Sequence, residues 1–380
     1  MRSRRALPVI ASVALALAAA ARAGEDAPAR HALDDAPAVL ARLVPHVEAA
    51  CGAAFPAPPV VRELSARAAA AAFRGDLRDE VARRHPQLSD AQRETLLTAA
   101  ASGSVASCLA RYSFSERAIV LVRDSFDAQR AAAGFAADES ADLLAAVLAH
   151  EAVHALDDAR FDLRTLYAGA RDEEALRARA MLVEGRAVHF GRVAAQAAGV
   201  PAGARELLPG GAEPPDVHAW TLRLTYELGA RHVADVVARG GRVASEAELR
   251  SPPDLTLPLC AAGAAAADAR PGDVLRRAGL GDGATPLSAL LLRARHAALR
   301  GRERADALFE PYRGGAQTLV DATNAAVLAF ADEAGARAYC EAAGDEAPTE
   351  RRGSLVLRAY GPAAETLLPR LVAAAEAPPR

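Results

Sequence analysis

Two histidines and a glutamate carry the chemistry of this chain: His150, Glu151 and His154, in the run His150-Glu151-Ala152-Val153-His154. The flanking residues, 140–156, have the spacing of a helix. Side chains four apart on a helix lie one turn above each other on one face, so both imidazoles can reach a single metal ion. Glu151 sits about 100° around from His150, within reach of a water on that metal. Zinc suits neutral imidazole, and a catalytic zinc needs a third protein ligand with one position left open. Three carboxylates downstream compete for that role: Glu173, Glu174 and Glu184. Glu173 and Glu174 follow Asp172 and read equally well as first-turn acids of a capped helix. Glu184 lies mid-helix among apolar residues, where an unpaired carboxylate is unfavourable. Gly185 beside it costs about 0.8–1 kcal/mol relative to Ala in a helix interior. Close approach of another backbone, here the HExxH helix, would explain it. Glu184 is the expected third ligand, with Glu173 or Glu174 as alternatives.

An HExxH followed by Glu184-Gly185-Arg186-Ala187 resembles the gluzincins, zinc peptidases whose third ligand is the second motif's glutamate. The similarity extends to a group of secreted bacterial gluzincin-like proteins. Their pattern runs roughly HELxHALQDQxFDL, EGDA, YxxG, a GG turn and a PP segment. Here the counterparts are the segment from His150 to Leu163, Glu184 to Ala187, Tyr226 to Gly229, Gly240-Gly241 and Pro252-Pro253. The resemblance covers roughly residues 105 to 260. Three departures stand out: Asp157 and Ala159 replace glutamines, Arg186 replaces an acid, and Asp254 to Pro258 is a degraded form of the usual segment. The resemblance implies an exported zinc-dependent peptidase acting on a peptide or protein, with Glu151 as general base. It implies an oxyanion donor on a later helix, Tyr226 first and His232 second. It also implies a zincin-like core in which the strand before the HExxH helix is the edge of a small sheet above the zinc. The altered segment at Asp254 motivates the alternative, a catalytically decayed metal-binding or scaffold protein of the cell envelope.

The elements around these residues follow from local pattern. Residues 117–123, Arg-Ala-Ile-Val-Leu-Val-Arg, read as a strand. Asp158 is four beyond His154 on the same face and is a candidate to accept from that ring's other N–H and fix its tautomer, with Asp162 a weaker one. His189 falls off the metal face and reads as packing or surface. Residues 216–238 read as a helix ended by Gly240-Gly241. Residues 286–380 alternate short strands and helices, with strands at 317–321, 326–330 and 354–358. The expected class is α+β, mostly helical: residues 24–280 a helical unit bearing the HExxH and residues 281–380 a smaller α+β unit.

Met1 to Arg5 is basic, Ala6 to Ala20 is apolar but shorter than a span of ~20 residues, and Ala21-Arg22-Ala23 is a cleavage pattern. Residues 1–23 read as a signal peptide, so the expected location is secreted or periplasmic, with no membrane span after cleavage. The net charge is −3, and removing the signal takes away four arginines and no acids. That balance argues against nucleic-acid binding. Cys51, Cys108, Cys260 and Cys340 form no CxxC motif. In an exported chain they suggest two disulfides, Cys51 with Cys108 and Cys260 with Cys340 being the simplest of three pairings. The sequence is silent on oligomeric state.

Overall fold

One short apolar run in the first half, residues 118–121, forms the centre of a three-stranded sheet wrapped by helices. The computed structural model describes residues 31–85, 88–205, 214, 216–260, 268–281, 284–320, 322–343 and 347–377. The expected signal peptide, residues 1–23, lies outside them. α1 (Ala36–Cys51) leads to β1 (Val61–Glu63), α2 (Ala66–Arg84) and α3 (Asp90–Ser107). Ser65 and Ser89 cap α2 and α3 by accepting a first-turn N–H. β2 (Arg111–Ser113), β3 (Ala118–Leu121) and α4 (Arg123–Ala132) follow. The sheet order is β1-β3-β2, with β3 parallel to β1 and antiparallel to β2. The strand expected at the edge is therefore the central one. Every residue of β3 is buried: Ile119 and Leu121 join the main core, while Val120 packs with α2 and α3 on the other face. A strand apolar on both faces belongs inside a sheet. The edge beside the HExxH helix is β2.

α5 (Ser140–Phe161) carries the HExxH and is buried from Leu143 to Asp157. It ends where Asp162 adopts a left-handed φ of 51°. The Asp162 carboxylate then caps α6 (Leu163–Ala168), accepting the Thr165 N–H at 3.0 Å. Asp162 thus shapes a turn and does not support a ligand. α7 (Glu173–Ala197) starts at Asp172, which accepts the Ala175 N–H at 2.8 Å. After α8 (Ala202–Arg205) comes α9 (Val217–Arg250). α7 packs against α1, α5 and α9, so it is the pillar of this part of the molecule.

Two glycines let α7 fit among its neighbours. A Cβ on Gly185 would overlap the carbonyl carbon of Gly229 in α9, and a Cβ on Gly229 would overlap the carbonyl oxygen of Met181. The backbone that Gly185 admits is α9, in place of the HExxH helix expected from sequence. Gly191 does meet that helix: a Cβ there would lie 3.0 Å from His150 Cα. Gly185→Ala is expected to destabilise the fold by about 1–3 kcal/mol, as overpacking does. A urea titration would show a lower midpoint at unchanged slope; an unchanged midpoint would mean that the crossing has slack.

The helix expected to stop at Gly240-Gly241 instead turns there, with φ 70° and ψ −173° at Gly241, and resumes to Arg250. His232 Nε2 lies 2.8 Å from Glu248 Oε2, sixteen residues on. A straight helix would separate them by about 24 Å, so the chain doubles back at the glycine pair.

α10 (Leu257–Cys260) and α11 (Arg270–Arg277) precede the C-terminal sheet. Its strands are β4 (Thr285–Pro286), β5 (Tyr312–Val320), β6 (Thr323–Phe330), β7 (Thr349–Arg352) and β8 (Leu355–Tyr360). Their order is β4-β5-β6-β8-β7, antiparallel throughout. Thr323 and Asn324 open β6, ahead of the strand expected from 326, and Ala322 takes the positive φ of 61°. β7 is polar, Thr-Glu-Arg-Arg, and becomes a strand only by pairing with β8. α12 (Ala289–Arg300), α13 (Arg302–Phe309), α14 (Glu333–Ala343) and α15 (Ala364–Glu376) complete the chain. One sheet face packs on α11 and α15. The other, through Tyr312, Leu328 and Phe330, shares a core with Met181 of α7 and with Trp220 and Leu228 of α9. None of the described helices is long and apolar enough to cross a membrane.

The two expected disulfides do not form. Cys51, Cys108, Cys260 and Cys340 are free thiols. Cys51 lies in the main core, whereas Cys108 packs against the separate cluster under α2 and α3. Burial pushes the Cys51 and Cys260 thiols up to about 12 and that of Cys108 to about 11. Such thiols stay protonated and unreactive at neutral pH.

Candidate metal centre

The helical spacing read in the sequence places His150 and His154 one turn apart on α5, and α7 crosses above them to bring in Glu184. His150 Nε2 and His154 Nε2 are 3.1 Å apart. Glu184 Oε2 lies 3.3 Å from the first and 3.4 Å from the second. Three ligands bonded at about 2.0–2.1 Å in a tetrahedron would be spaced about 3.3–3.4 Å apart. The observed triangle is close to that. The donor atoms are also poorly satisfied without a cation. Glu184 Oε2 is buried with no hydrogen-bond donor meeting the usual geometry, and two imidazole nitrogens cannot both donate across 3.1 Å. Two nitrogens and one carboxylate oxygen fit a divalent ion, and this trio is the one such cluster among the described residues.

The electrostatics point the same way. Burial disfavours a proton on His154, yet the Glu184, Glu151 and Asp157 carboxylates outweigh it and raise its pKa to about 9. Burial also opposes charge on Glu184, but the two imidazoles overcome that and hold its carboxyl well below the usual range. A buried pocket that retains a carboxylate and favours a cation on its imidazole is a pocket of negative potential.

The other glutamates are occupied. Glu173 pairs with Arg177 one turn along α7 at 2.5 Å. Glu174 is buried, and its Oε1 accepts from Thr256 N at 2.7 Å and Thr256 Oγ1 at 2.6 Å. Glu174 therefore ties the segment around Asp254 to α7.

Glu151 faces the same cleft and is held from the sheet. Its Oε2 accepts the Tyr112 N–H at 2.6 Å. Strand β2 pairs with β3 on one side, so this amide belongs to the free edge. Tyr226 stacks on His150, with ring centroids 5.9 Å apart and planes 23° apart. Burial and the charges of Glu184 and Glu151 raise its pKa well above the ordinary tyrosine value, so the hydroxyl remains a donor. Tyr167, on α6, is likewise buried near Glu184 and protonated. A cleft of about 720 Å³ connects these groups.

Two expectations about the surroundings are overturned. His232 is not in the cleft; it bonds Glu248 instead. It lies six residues after Tyr226, about 120° around the helix, so both cannot face the same site. Asp158 does not hold His154. Its oxygens accept from Tyr112 Oη at 2.9 Å and from Leu163 N at 3.0 Å. The β2 tyrosine and the chain turning out of α5 reach that carboxylate first. His150 Nδ1, by contrast, is buried without a partner among the described residues. His189 sits against Phe190 with ring centroids 4.9 Å apart.

Sequence reading missed Arg111, Tyr112 and Tyr167. Arg111 and Tyr112 belong to a three-residue strand too short for a periodic signal. Tyr167 lies on a six-residue helix four residues past Leu163, and only the crossing of α6 and α7 brings it near Glu184. No protein-family model, curated protein or solved structure matches this chain.

Proposed function

We propose that the chain is a zinc-dependent peptidase, exported in keeping with its N-terminal sequence. The observation that carries the reading is the convergence of His150 Nε2, His154 Nε2 and Glu184 Oε2 beside a carboxylate, Glu151, fixed by a backbone amide. Zinc is favoured by the two imidazoles and one carboxylate, the donor set of many hydrolytic zinc sites. When bound there, zinc would acidify a water and polarise a carbonyl.

The protein's own groups complete the chemistry. Glu151 takes the proton of the attacking water and passes it to the leaving amine nitrogen. The Tyr112 N–H keeps the other lone pairs of that carboxylate turned into the cleft. Tyr226 Oη donates to the oxyanion that develops on the substrate carbonyl. Tyr167 is the second protonated phenol near the same point. Beyond the Tyr112 amide, which Glu151 occupies, the outer edge of β2 offers its remaining main-chain groups to an extended peptide.

Purified protein is expected to bind about one zinc per chain and to cleave some members of a mixed peptide library. A chelator should abolish cleavage, and zinc should restore it. Protein that takes up no stoichiometric metal would refute the proposal. A second reading, a metal-binding protein without turnover, is favoured by one observation. His150 Nδ1 lacks the acceptor that usually orients a ligating histidine. Zinc-loaded protein that leaves a broad peptide library intact would select it.

A further inference from the structure

One cation of the cleft, Arg111, pairs with no carboxylate among the described residues. Arg111, on β2, lines the cleft next to Tyr112, whose amide holds Glu151. Its guanidinium lies over the Phe73 ring, 4.9 Å from the centroid. Phe73 is fully buried in the α2–α3 cluster, so the platform is rigid. Among the described residues no carboxylate pairs with Arg111 and no carbonyl accepts from it.

The other charged groups of the cleft differ. Arg164 pairs with Asp79 at 3.1 Å, and Arg192 is exposed to solvent. Asp76 Oδ1 accepts from Ser115 N at 2.8 Å while its Oδ2 is buried with no partner among the described residues, and Glu80 is partnered. Arg111 is half-buried and, among the described residues, is paired with the Phe73 ring alone. A partly desolvated guanidinium is usually matched by a carboxylate or phosphate. Stacking on a ring leaves the edge N–H groups free, and that edge suits a planar carboxylate. Arg111 is adjacent to Tyr112, whose amide bonds Glu151, so it stands at the end of the cleft that holds Glu151.

We propose that Arg111 docks a carboxylate of the substrate, so that the cleft selects peptides bearing a negative charge near the scissile bond. The inference rests on the peptidase reading of this site. Two sources share that chemistry: the C-terminal carboxylate of a peptide, and the side chain of an internal acid. The first would make the protein a trimmer of C-terminal ends, the second an endopeptidase with an acidic preference.

The test is calorimetric binding to zinc-loaded Glu151→Gln protein, which cannot consume its ligand. The probes are acetyl-tetraalanine as the free acid, the same peptide as its C-terminal amide, and the amide with Asp at the third position. A carboxylate probe should bind at least about tenfold more tightly than the plain amide, as expected for a charge-assisted pair. The free acid winning identifies the terminal source, and the Asp amide the internal one. Arg111→Ala should erase the preference at unchanged zinc content, and Arg111→Lys should keep part of it. Equal binding of all three probes, binding of none, or a preference that survives Arg111→Ala overturns the proposal. The comparison of probes on the parent protein decides even where a variant fails to fold. Cleavage is scored separately with unsubstituted protein. Discrimination without cleavage would sink the peptidase reading and spare the docking site; cleavage without discrimination would do the reverse.

Discussion

Glu151→Gln is expected to keep zinc and to lose hydrolysis by about 10²–10⁴-fold, the usual worth of a general base. The substitution changes little else. Glu151 is buried, and its bonded oxygen receives the Tyr112 N–H at 2.6 Å. A glutamine oxygen can accept that same bond in the same rotamer, so the side chain stays in place. It cannot take up a proton at neutral pH, which is the property removed. Metal content is read by elemental analysis and turnover by release of a fluorescent peptide fragment. A variant that holds zinc and cleaves as fast as the parent would exclude Glu151 as the base.

Asp157→Ala is the second large effect. Arg186 has no exposed surface, and it bonds Asp157 through Nε and Nη2, both at 2.8 Å. Its Nη1 donates to Ser245 at 2.5 Å. Removing the carboxylate strands a charge inside the main helix packing, which costs about 3–5 kcal/mol. The measurement is a urea midpoint, with the slope checked for two-state behaviour. The double variant Asp157→Leu with Arg186→Met should recover most of the loss, because removing both charges leaves none unpaired. An Asp157→Ala protein as stable as the parent would mean that water reaches Arg186. Asp157 is three residues past His154 and Arg186 two past Glu184, so the pair bolts α5 to α7 directly beside the candidate ligands His154 and Glu184. Zinc affinity should therefore fall with the single change and return with the double one.

This pair also accounts for the residues at 157 and 186, where the chain departs from the gluzincin-like pattern. An acid at 157 where that pattern has glutamine, and a base at 186 where it has an acid, look unrelated in the sequence. In the structure they are one interaction, a buried bidentate bridge. The third departure, around Asp254, has a local anchor in Thr256, which is buried against Glu174.

The sequence by itself determined what depends on one helix at a time. The period of 3.6 residues sets His150 above His154 with Glu151 beside them, whatever else the chain does. It also marked Glu184 as a carboxylate in an apolar setting and Gly185 as a place of close approach. The cap at Asp172, and the mostly helical α+β character, follow from equally short-range rules. Tertiary structure decided the rest, because it turns on which elements cross and at what height. The crossing of α7 over α5 chose Glu184 over Glu173 and Glu174, and sent Gly185 to α9 while Gly191 met His150. The facing of α9 kept Tyr226 in the cleft and turned His232 to Glu248. Burial on both faces put β3 in the middle of its sheet, and β2 gave Glu151 its amide and Asp158 its phenol. Such contacts join residues tens of positions apart, and no local period encodes them.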